Sequence, residues 1–153
     1  MTSPAPVKTP AEADALVTHF FDVMDKLIGV VQQETELVRA GRLGAAAGLA
    51  EPKGDLARLY IADTLRLRAS QSYLAKTMPE TVASLRQRHD SFRALLQINL
   101  TVLATAHAVS EGIVRGVSDE IARKSAPQTY GASGRANAPS RGAATPLAVS
   151  RML

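Results

Sequence analysis

Residues 79–124 read PETVASLRQRHDSFRALLQINLTVLATAHAVSEGIVRGVSDEIARK, and the spacing within them points to a long helix. Val82, Leu85, His89, Phe92, Leu96, Asn99, Leu103, Ala106, Ser110, Ile113 and Val117 follow one another at alternating steps of three and four. A repeat near 3.5 residues keeps one side of a helix against a partner over many turns. The stretch therefore predicts a single helix reaching about residue 124, about 65–70 Å long at 1.5 Å rise per residue. Thr77-Met78-Pro79-Glu80 supplies its expected start, a Thr-x-x-Glu signal with Pro just inside.

Working back along the chain, Leu56, Leu59, Tyr60, Leu67 and Leu74 make a second stripe, broken by Asp63 and Ser70. It predicts a helix opened by Pro52 and running to about Lys76. Residues 43–50 are Ala/Gly-rich and fit a short helical turn or a corner. Earlier still, Leu16, Phe20, Val23, Leu27, Val30 and Leu37 recur at spacings of three, four or seven, with Val17, Met24, Val31 and Val38 beside them. Glu34 interrupts that stripe. Thr9 as cap, Pro10 in the first turn and Glu12 as capping-box partner predict where this helix begins. Arg39-Ala40-Gly41 predicts a left-handed stop.

The chain is thus read as all-α: an elongated antiparallel helical bundle or coiled coil of three main helices over residues 10–124. Residues 1–9 form a flexible lead. Residues 125–153, rich in Ser, Ala, Gly, Pro, Thr and Arg, cannot bury enough surface to offset their ordering entropy and are expected to be disordered.

Composition agrees. Apolar residues make up 46% and aromatics 4% of 153 residues, and the abundant Ala and Leu favour helix over strand. There is no Cys, which rules out disulfides and thiolate–metal sites. The first residues show no signal peptide, and no apolar run approaches the roughly 18–20 residues that span a bilayer. A cytoplasmic protein without membrane insertion is expected. The formal charge of +4 comes from the ends. From Ala11 to Lys124 the 14 acidic residues are matched by 14 basic ones, and the excess is Lys8, Arg135, Arg141 and Arg151. Scattered tail arginines without interleaved aromatics are a poor nucleic-acid footprint.

The familiar routes to catalysis are missing. His19, His89 and His107 lack a Glu three positions before them, so the Glu-x-x-His pairs of di-iron bundles are absent. No Gly-Lys-Ser/Thr loop or nucleophile motif occurs. The expectation is a binding protein with no catalytic residues, no metal and no cofactor. His89, on the stripe, fits a partly buried, hydrogen-bonded residue. Asn99 fits a polar residue fixing register in a helical seam, with direct ligand contact as the alternative.

Four segments resemble the FlgN family of flagellar type III export chaperones, over roughly residues 16–134. Glu34-Thr35-Glu36-Leu37-Val38-Arg39-Ala40-Gly41-Arg42-Leu43 resembles its acidic-Leu-Arg-x-Gly-Asp-Leu corner. Leu49-Ala50-Glu51-Pro52-Lys53-Gly54-Asp55-Leu56 is similar to the opening of its second helix. Leu96-Gln97-Ile98-Asn99-Leu100 and Thr129-Tyr130-Gly131-Ala132-Ser133-Gly134 resemble its Asn-centred third helix and its Tyr-x-x-x-Gly tail.

The resemblance implies a chaperone that binds the terminal segments of hook-associated proteins, prevents their premature assembly and delivers them to the export gate. Client contact would then fall on Leu96, Leu103, Ile113, Val117 and Ile121, with Asn99 setting register. Leu96 and Leu103 could equally close the chain's own core. Tyr130 would dock the cytoplasmic domain of the gate, if it is more than a stray tail residue. A non-catalytic coiled-coil adaptor or scaffold is the alternative, and both monomer and homodimer remain open.

Overall fold

Thr9 caps the first helix as its sequence predicts. In the computed structural model, which describes residues 3–126, helix α1 spans Pro10–Arg39. Thr9 Oγ1 accepts the Glu12 N–H at 3.2 Å. The Glu12 carboxylate reaches one residue further back than a capping box does, to the Lys8 N–H at 2.8 Å. At the other end Gly41 takes φ 72°. Its N–H donates to Val38 O at 3.0 Å and that of Arg42 to Leu37 O at 2.8 Å, the paired bonds of a left-handed helix stop.

The corner after it is a short helix, α2, Leu43–Ala47. Then come α3, Ala50–Ala69, α4, Gln71–Thr77, and α5, Pro79–Ser125. The described residues contain no strand. Pro52 sits in the third position of α3 rather than opening it. It is harmless there, because the first four N–H groups of a helix have no intrahelical partner.

Ser70 corrects two expectations. The second helix does not run unbroken to Lys76; it breaks at Ser70, whose hydroxyl donates to Arg66 O at 2.8 Å and accepts the Val7 N–H at 3.0 Å. Val7 is itself buried, in a cluster with Ala13, Leu16 and Leu74. The lead-in is therefore anchored at Val7, not flexible there, because one buried hydroxyl satisfies its backbone donor. A third correction concerns Thr77. It is the last residue of α4, and its hydroxyl donates back to Tyr73 O at 2.8 Å, so it does not cap α5.

The described chain divides after Gly112 into two units, with α5 running through the division. In the first unit, paired residues fix the topology. Glu34 meets Lys53, His19 meets Asp63, and Val7 meets Ser70, so α3 and α4 run antiparallel to α1. Asp25 meets Arg88 and Glu34 meets Asn99, so α5 runs parallel to α1. These are the three main arms expected from the stripes.

Phe20, Met24, Leu27 and Val31 of α1 bury together with Phe92 of α5. Each such side chain contributes roughly 1.5–3 kcal/mol by leaving water. Tyr60 stacks on Phe20 at 5.3 Å and meets Phe92 edge-on at 5.2 Å. Its hydroxyl lies 2.5 Å from His89 Nδ1, so His89 is half-buried and hydrogen-bonded as expected. Burial pushes the Tyr60 phenol above its ordinary 10.0, although a hydrogen bond with Thr64 works against the shift.

One helix differs from the compositional expectation. An 18-residue window of α5 reaches a mean hydropathy of 1.2, long and apolar enough to cross a membrane by length and composition alone. The separate apolar runs, which look short one by one, are joined by uncharged Gln97, Asn99, Thr101, Thr105 and His107.

Candidate protein-binding face

The described part of the second unit is the last turns of α5 and Ala126. Its four large apolar residues all face solvent: Ile113 61%, Val114 63%, Val117 53% and Ile121 59% exposed. Residues four apart in a helix lie about 40° from one another around its axis at 3.6 residues per turn. Ile113, Val117 and Ile121 therefore form one stripe, with Val114 at its border. Beside it Glu120 pairs with both Arg123 and Lys124. All four apolar side chains are β-branched, and such residues already hold one preferred χ1 rotamer in a helix. Docking them costs little further side-chain entropy.

Asn99 is placed differently. In the first unit it is 2% exposed and turned toward α1. Its amide nitrogen donates to Glu34 Oε2 at 2.9 Å and Thr35 Oγ1 at 3.1 Å. The Thr35 hydroxyl donates in turn to Val31 O at 2.9 Å. The Glu34 carboxylate, buried as well, takes Lys53 Nζ at 2.9 and 2.6 Å on its two oxygens. Among the described residues no buried side-chain nitrogen or oxygen lacks a partner. Asn99 thus ties α5 to α1, and Lys53 brings in α3.

The remaining sequence-derived positions divide. Leu96 is half-buried and packs on the core around Phe92. Leu103 is half-buried and lines a groove of about 290 Å³ with Val38, Leu43 and Ala106. Ile113, Val117 and Ile121 are open. Tyr130 lies outside the described residues. Sequence reasoning treated Glu34 as an interruption and overlooked Lys53. The available signal was two polar residues, Glu34 and Asn99, each standing on an apolar stripe. Two such positions on different helices satisfy each other when they meet.

This chain is similar to a flagellar protein. Over 139 residues, covering 89% of this chain and 93% of the relative, it is 28% identical to the flagellar basal-body protein FlbY of Caulobacter vibrioides. No family model matches the chain, and no solved structure does.

Proposed function

We propose that this chain is a cytoplasmic flagellar export chaperone, acting by binding and without catalysis, metal or cofactor. In this reading it shields the terminal segments of hook-associated proteins before export and hands them to the export gate. Likeness to a flagellar protein along nearly the whole chain supports the flagellar part of the reading. The observation that carries the chaperone part is the open stripe of Ile113, Val117 and Ile121. An amphipathic helix of a client can lay its apolar side on such a stripe. In this reading the apolar window of α5 serves the same purpose rather than entering a bilayer, and the pairing of Asn99 within it to Glu34 and Thr35 supports that choice. Tyr130 offers the gate an aromatic ring and a hydroxyl with few torsions to freeze.

Capture of hook-associated proteins from the same organism tests this reading. Intact proteins are expected to be retained, and forms lacking their terminal segments are not. Failure to retain either form, with the bait folded and helical, overturns it.

The relative's name as a basal-body protein favours a second reading as a non-catalytic coiled-coil adaptor. That reading requires the free chain to be a stable homo-oligomer with its stripe covered, which sedimentation equilibrium decides.

A further inference from the structure

A groove of about 390 Å³ opens in the first unit, between α3–α4 and the first turns of α5. Its floor is apolar: Phe20 and Leu74 are buried, while Leu67, Val82 and Leu85 are half-buried and reach the opening. Two arginines stand on its walls, Arg68 from α3 and Arg86 from α5. Both are exposed, and neither forms an ion pair among the described residues. Arg39, Arg58 and Arg88 instead pair with Glu36, Asp55 and Asp25. The other lining groups are a hydroxyl, an amide and an imidazole, those of Thr64, Gln71 and His89, and no carboxylate lines the groove.

We propose that this groove docks an amphipathic helical segment of a partner protein, one carrying carboxylates beside its apolar face. The floor accepts Leu-sized side chains, and the two guanidinium groups take carboxylates in the forked geometry suited to them. The chain's own C-terminal stretch is the wrong occupant by charge, since residues 127–153 contain three arginines and no acid. The site involves none of the residues at 113–121, so it stands or falls apart from the proposed client stripe.

Fluorescence anisotropy with the full chain tests it. One labelled probe is a peptide of about 15 residues with Leu at i, i+3, i+4 and i+7 and Glu beside that face; its twin carries Lys for Glu. The wild type is expected to bind the Glu peptide at least about tenfold more tightly. Arg68→Glu with Arg86→Glu should reverse that preference, and Arg68→Gln with Arg86→Gln should abolish it without reversal. Far-UV dichroism should be unchanged in both variants, because neither arginine is buried or paired. Equal binding of the two peptides overturns the proposal, as does a preference that survives the double substitution. Dodecanoate binding with the same arginine dependence, where the Glu peptide fails, overturns it in favour of a fatty-acid site. Self-association that the reversal abolishes, again without peptide binding, assigns the groove to a second copy.

Discussion

The Asn99 amide of α5 donates to the Glu34 carboxylate of α1 at 2.9 Å, and both residues are buried. One carboxylate, one amide and one ammonium thereby set how three helical arms meet. A slip of α5 by a single residue would swing Asn99 about 100° around its axis and leave Glu34 with Lys53 alone.

Asn99→Ala removes the amide and leaves the buried carboxylate short of a donor. The expected loss is about 1–3 kcal/mol, read as a lower urea midpoint at unchanged slope. Lys53→Met should cost at least as much. Replacing Glu34, Lys53 and Asn99 together by Leu, Met and Leu should restore most of the stability, since an apolar trio of similar size needs no desolvation of charge. Stability that falls further with the triple change would contradict this account of the network.

Ser70→Ala deletes the acceptor of the Val7 N–H. A loss of about 1–2 kcal/mol is expected from the unsatisfied buried donor. The Val7 amide should also exchange its hydrogen far faster while amides in the middle of α1 stay protected. Unchanged exchange at Val7 would show that packing alone holds the lead-in.

Gly41→Ala isolates backbone strain. Nothing lies within 4 Å of a Cβ built there, and φ is +72°, so the penalty is purely conformational. It should be about 1 kcal/mol in thermal or urea unfolding.

Alkaline titration reports on Tyr60. Its folded pKa is raised above 10.0 by burial, so folding favours the neutral phenol. The sign follows: this contribution is complete below the unfolded pKa and is lost as pH rises through the folded one. Absorbance at tyrosinate wavelengths should show a late component above the ordinary 10.0 of a phenol. Tyr60→Phe should remove that component.

Much of this arrangement was legible in the sequence because its signals are local. Thr9 and Glu12 at one end of α1, and Arg39-Ala40-Gly41 at the other, act within one turn of their own backbone. The long 3-4 alternation of α5 survives in the structure from Pro79 to Ser125. What was not legible depends on partners far along the chain. Ser70 breaks its helix beside Val7, 63 positions away. Glu34 is stabilised by Lys53 and Asn99, 19 and 65 positions away. Thr77 carried a start signal, but the Tyr73 carbonyl one turn back accepts its hydroxyl's hydrogen bond. The client positions divided on the same principle: Leu96 found core partners, whereas Ile113, Val117 and Ile121 did not.

In the proposed function the open stripe on the last turns of α5 holds a client. Titration calorimetry of a hook-associated protein into wild type and into the Ile113→Asp, Val117→Asp, Ile121→Asp variant tests it most directly. Binding by the wild type and a loss of at least about a hundredfold in the variant are expected, with helical dichroism unchanged. Equal affinity for the two proteins would contradict it.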